Sequence, residues 1–240
     1  MKATKTDELL DLLEIIHKTC INKEPTHLTC DSEDIQAPYM FGLYSIVVEL
    51  TGDSYHAIKS RKELASHVLT RALLEAVVVL CNVINDPNYV KIHFQKSLAK
   101  GKKPLEYLRD NPDLIDKKRH TVKDIQDLLD KGAKLRDQEP TKSYIVDDFK
   151  NADMEKYYYT RYAFLCNYSH HNAKVIINRP LGLNVRPLDE KSTQRLAHWI
   201  IDLILKASIA VHEFLKTGQS NIFEDLQQKW QATFCGTPFE

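Results

Sequence analysis

The segment Tyr162-Ala-Phe-Leu165-Cys166-Asn167-Tyr168-Ser169-His170-His171-Asn172 gathers two imidazoles, two phenols, a hydroxyl and side-chain amides at the end of an otherwise apolar stretch. Such polar density on a core-facing element costs free energy unless its members bind one another or a ligand. Imidazole titrates near neutral pH, so His170 suits general acid/base work. Cleavage of RNA through its own 2′-hydroxyl needs no metal, only a proton shuttle and a cation for the charge on the phosphorane. His171 lies about 100° further round a helix and cannot share the face of His170. It joins Tyr162, Asn167 and Tyr168 as a candidate substrate contact. The plainer alternative makes either histidine a helix C-terminal cap, where the dipole favours a cation.

The cation comes from a second segment, Arg71-Ala-Leu-Leu-Glu75-Ala-Val-Val-Val-Leu-Cys-Asn82. Arg71 and Glu75 are i,i+4 neighbours on a helix that is apolar almost all round. In the plainer reading they form an intrahelical salt bridge at a bundle end. In the functional reading Glu75 holds a guanidinium fork toward phosphate, or orients a histidine from another helix. Asn82, on the same helix, is a further candidate contact.

Other constellations carry less. Tyr157, Tyr158, Tyr159, Tyr162 and Tyr168 run round a whole helix, so most are packing groups and one or two could stack a base. His17-x-x-Cys20 and His27-x-x-Cys30 offer zinc-type ligands. Five cysteines and ten histidines produce such pairs by chance, and no metal or cofactor is expected. Between Lys91 and Arg119, nine basic residues stand against four acidic ones. That run is either a solvated face or a phosphate-backbone footprint. The sequence holds no Gly-rich phosphate loop, nucleophile elbow or paired-aspartate metal motif.

Helices must position these groups, because glycine is scarce and the apolar residues recur at helical spacing. An N-terminal helix is expected over 6–22 with Thr6 as N-cap. A second begins near Asp34 or Pro38, and Thr51-Gly52-Asp53 ends or merely bends it. Ser60-Arg61-Lys62-Glu63 reads as a capping box opening a long buried helix, stopped by Asn85-Asp86-Pro87. A helix over Asn88–Lys100 should break at Gly101-Lys-Lys-Pro104, and another should cover Thr121–Arg136. A short turn at Ile145–Asn151 leads into the tyrosine-rich helix, Asp153 to about Ser169. Residues 174–187 read as extended chain with a small β-hairpin. A long helix from Asp189 to about Lys216, a C-cap at Gly218 and a short helix over 220–231 complete an all-α bundle. One domain is expected over 1–240, with its core bundle at about 34–218, since no linker divides it.

Lys+Arg and Asp+Glu number 33 each, so net charge gives no sign of nucleic acid. The cysteines form no disulfide framework, which suits reduced thiols in the cytoplasm. The N-terminal residues run into an amphipathic pattern instead of a signal peptide. No run of 18 apolar residues occurs, so neither a membrane span nor a membrane partner is expected.

The two segments together resemble a loosely defined family of bacterial all-helical proteins of unknown function. Its marks are Arg-x-x-x-Glu near the start of a buried helix and Tyr-x-x-Leu-(Ser or Cys)-x-x-x-His at a helix end. Here these are Arg71 to Glu75 and Tyr162 to His170, and the resemblance covers about Asp34 to Asn172. It implies a bundle in the style of the HEPN (higher eukaryote and prokaryote nucleotide-binding) class. Many of those proteins are metal-independent ribonucleases of toxin–antitoxin or antiphage systems, usually dimers with a composite site. The HEPN motif sets four to six residues between Arg and His on one helix. Arg161 precedes His170 by eight intervening residues, so Arg71 is the candidate phosphate ligand. The resemblance thus implies an RNA-cleaving effector with His170, Arg71 and Glu75 as its catalytic set. The alternatives are a non-catalytic nucleotide- or partner-binding module and a structural protein in which the cluster fixes helix register. The implied partners are RNA or a nucleotide, a second copy of the chain, or a defence complex.

Overall fold

The computed structural model describes residues 4–23, 35–115, 121–134, 144–169 and 187–235. All regular structure among them is helical. The elements are α1 (Lys5–Asn22), α2 (Gln36–Lys59), α3 (Glu63–Asn85), α4 (Tyr89–Asp110), α5 (Val122–Lys134) and α6 (Ile145–Asn151). Next comes α7, which starts as Glu155–Tyr157, passes through a π-turn at Tyr158–Tyr162 and ends as Ala163–Ser169. The last two are α8 (Glu190–Phe214) and α9 (Ser220–Trp230). The predicted hairpin at 174–187 falls almost wholly outside the described residues. Pro187, at its end, makes an isolated antiparallel bridge to Lys62.

The long helices α1, α2, α3 and α8 pack on one another. Leu13 and Ile16 of α1, Met40 and Val47 of α2, Leu73 and Leu74 of α3, and Ile204 and Ala207 of α8 are sealed from solvent. Burying such residues supplies the main drive for folding. One polar tie runs through this core: Ser208 of α8 meets the Tyr44 hydroxyl at 2.9 Å and Cys20 Sγ at 3.4 Å. By length and composition α3 could cross a membrane, but 56% of its most apolar window is buried inside the bundle. It is the central helix here.

Several expected helix limits move, each for a local reason. Thr4, not Thr6, caps α1, through a reciprocal pair with Asp7. Thr6 lies inside the helix, is buried and donates to Glu190. No capping box opens α3, because Ser60 terminates α2 and Arg61 takes a left-handed φ of 52°. Leu188 N–H then donates to Arg61 C=O, pinning the start of α8 to that turn. Gly52 does not end α2. Its missing Cβ admits the His17 ring of α1, whose nearest atoms lie 2.8 Å from where a Cβ would stand. Pro104 does not stop α4, which runs on to Asp110. The proline costs one backbone bond at an exposed site. Beyond it, Leu105 and Leu108 pack on Ile125 and Leu129 of α5, forming a second small core.

Candidate functional site

Helix α3 carries His67, Arg71 and Glu75 one turn apart, and that spacing places them along one face. The Nε of Arg71 donates to Glu75 Oε1 at 3.0 Å, and its Nη2 donates to the Tyr162 hydroxyl at 3.1 Å. The guanidinium carbon also lies 5.1 Å from the Tyr162 ring centre. The bond to Tyr162 joins α3 to α7, so the two singled-out sequence segments do meet in space. Burial opposes the charge on Arg71, but Glu75 and the Tyr162 hydroxyl outweigh it and raise the pKa. Burial, then the Glu75 charge, pushes the Tyr162 phenol up to about 12, so it stays neutral.

The π-turn explains how α7 presents Tyr162. One extra residue in a turn rotates the side chains that follow, and such turns recur at functional sites. Here Tyr158 and Tyr162 stack at 5.5 Å between ring centres, both against Phe149 of α6. The neighbouring Arg161 faces α8 instead, where it pairs with Asp202 at 2.6 Å. Tyr157 donates to the same carboxylate at 2.9 Å. Of the two arginines, Arg161 therefore ties α7 to the bundle and Arg71 lies on the Glu75 side.

Glu75 also edges a cleft of about 340 Å³ between α2, α3, α4 and α6. Its apolar wall includes Leu43, Ile46, Leu50 and Ala76, while Tyr89, His93, Lys96, Lys100 and Asp148 line the polar side. Lys96 pairs with Asp148 at 2.7 Å, and the Tyr89 hydroxyl donates to the same oxygen at 2.9 Å. His93 Nδ1 lies 2.6 Å from the Tyr39 hydroxyl. Burial, followed by the Lys96 charge, lowers the His93 pKa.

The expected contacts divide. Asn82 is buried beneath the site, where its amide donates to the Asp148 carbonyl at 2.9 Å and holds α6 to α3. Asn167 is exposed on α7. Tyr168 lies flat on His67, with ring centres 3.6 Å apart and planes 11° from parallel. His170 and His171 lie outside the described residues, as do His27 and Cys30. Cys20 is buried beside Ser208, and burial pushes its thiol up to about 11, which keeps it protonated. No group of three or more metal-ligating side chains occurs among the described residues.

Sequence reasoning missed His67, although its spacing to Arg71 repeats that of Arg71 to Glu75. Its Nδ1 bonds the Glu63 carbonyl at 2.7 Å, and its buried Nε2 meets no hydrogen-bond partner. Burial lowers its pKa to about 4, so the ring is neutral at physiological pH. Sequence reasoning also missed the Tyr39–His93 and Lys96–Asp148 pairs, whose members are too far apart in the chain for any spacing rule to join.

A family of unknown function, DUF5677, matches residues 38–183. The match runs from α2 through α7 and contains Arg71, Glu75, Tyr162 and the cleft-lining residues of α4 and α6. No curated protein and no solved structure matches the chain.

Proposed function

The chain belongs to DUF5677, and on that premise we propose that it is a HEPN-like, metal-independent ribonuclease of a bacterial toxin or antiphage system. The observation that supports this reading is the Arg71 guanidinium, held by Glu75 at 3.0 Å and Tyr162 at 3.1 Å, with Glu75 itself on the edge of the cleft that Lys96 and Lys100 line. A guanidinium held from two sides loses little entropy on meeting phosphate. In this proposal Arg71 stabilises the phosphorane charge and Glu75 keeps its fork in place. His170 takes the proton from the RNA 2′-hydroxyl as that oxygen bonds to phosphorus. The phosphorus–5′-oxygen bond breaks, and the imidazolium returns the proton to the departing oxygen. Asn167, Tyr168 and His171 contact substrate, and a second copy of the chain completes a composite site.

The test is incubation of the purified chain with end-labelled RNA in EDTA. The proposal expects fragments ending in 2′,3′-cyclic phosphate. Intact RNA would contradict it.

A second reading, a non-catalytic nucleotide-binding module, draws on the cleft itself. Its apolar wall suits a base and Lys100 suits a phosphate, while Lys96 is held by Asp148. It expects a nucleotide-dependent rise in Tm with RNA left intact.

A further inference from the structure

Helix α4 begins in the cleft and leaves the bundle. Tyr89 and Val90 at its start are buried in the main core, whereas Leu105 and Leu108 near its end belong to the separate small core with α5. Its residues His93, Lys96, Lys100, Lys103 and Tyr107 recur at alternating three- and four-residue steps. At 100° per residue they fall within an arc of about 80° and extend over about 21 Å of helix axis. That arc is centred about 160° from Leu105 and about 100° from Leu108, so α5 covers a different side of the helix.

Three features distinguish this row from an ordinary solvated face. The helix carries six basic residues against two acidic ones, in a chain whose total charge is zero. Both acids are matched along the helix, Glu106 with Lys102 at 3.6 Å and Asp110 with Arg109 at 2.8 Å, which leaves the Lys100–Lys103 stretch cationic. The row is also continuous with the cleft, because His93, Lys96 and Lys100 line it. Finally, Tyr107 stands 61% exposed at the far end, an aromatic ring on the same face as the lysines.

We propose that this face of α4 is a track for single-stranded RNA, with Lys100 and Lys103 on successive phosphates and Tyr107 stacked on a base, leading the strand into the cleft. Non-specific single-strand binding combines these same parts, a cationic line along the backbone and an aromatic platform for bases. The inference rests on the reading of the cleft as an RNA-handling site and assigns the path by which RNA reaches it.

Fluorescence anisotropy of a labelled oligouridylate with the full chain, over a salt series in EDTA, tests the track. The double variant Lys100→Glu, Lys103→Glu should bind at least about ten-fold more weakly. Its salt dependence should flatten by about 0.7 in log–log slope for each lysine lost. Tyr107→Ala should weaken binding about five-fold or more at an unchanged slope, and Tyr107→Phe should restore it. Wild-type affinity in these variants would overturn the track, as would failure of the wild type to bind. Polyglutamate binding as tightly as RNA, with no effect of Tyr107→Ala, would assign the face to an acidic protein and also overturn it. A dinucleotide substrate separates the two claims, since it needs the site and not the track. If Lys103→Glu and Tyr107→Ala cleave the dinucleotide and still bind long RNA normally, only the track fails. If the wild type leaves the dinucleotide intact while the variants lose long RNA, the track stands and the nuclease reading fails.

Discussion

Arg71 of α3 donates to the Tyr162 hydroxyl of α7 at 3.1 Å, across a separation of 91 residues. The π-turn at Tyr158–Tyr162 gives the phenol its place there, and the same turn sends Arg161 to Asp202 on the far side. This bond should be measurable. Tyr162→Phe keeps the ring on Phe149 and Tyr158 but removes the acceptor, so urea unfolding should show a loss of roughly 1 kcal/mol. RNA cleavage should fall much further than stability does. Equal activity in Tyr162→Phe would mean that the phenol does not position Arg71.

The buried histidines set a pH dependence. His67 and His198 are both held neutral by burial, with pKa values near 4 against an ordinary 6.5. Below pH 6.5 the unfolded chain takes up protons that the native state refuses. Stability is therefore complete above about pH 6.5 and falls as pH drops toward 4, by up to roughly 3 kcal/mol per histidine. Urea midpoints between pH 7 and pH 4 should show this slope, and His67→Phe, which keeps a ring against Tyr168, should make it shallower. A slope unchanged by His67→Phe would contradict the assignment.

Gly52 should behave against the usual helix scale. Glycine to alanine inside a helix ordinarily stabilises by about 1 kcal/mol. Here the new methyl would meet the His17 ring at 2.8 Å, so Gly52→Ala should destabilise instead. The double variant His17→Ala, Gly52→Ala should recover most of the loss, and a double-mutant cycle in urea reads that coupling directly.

Asp148 gathers Lys96, Tyr89 and, through its backbone carbonyl, Asn82. Asp148→Ala strands a half-buried ammonium and should cost roughly 2 kcal/mol or more. Protection from hydrogen exchange should fall first in α6 and the start of α4. A uniform loss over the whole bundle would show that Asp148 does not act locally.

The helical class was legible from scarce glycine and from apolar residues at helical spacing. So was the partnership of Arg71 with Glu75, because neighbours on a helix surface follow from spacing alone. Contacts between helices were not. No pattern in Tyr158–Tyr162 signals a π-turn, in which Phe149 receives the Tyr158 and Tyr162 rings on one side and Asp202 receives Arg161 on the other. Pro104 misled because its cost is local whereas its compensation, Leu105 and Leu108 against α5, is tertiary. Asn82 looked like a ligand contact, but its amide holds α6 in place. Ser60 to Glu63 matched a capping box, yet the left-handed Arg61 uses those residues for the turn into α3.

The decisive measurement is the rate of RNA cleavage by the purified chain in EDTA, compared among wild type, Arg71→Ala and His170→Ala, with circular dichroism confirming the fold of each. The wild type should cleave, and both variants should lose at least about a hundred-fold in rate. Cleavage at the wild-type rate by folded His170→Ala, or none by the wild type, would contradict the ribonuclease proposal.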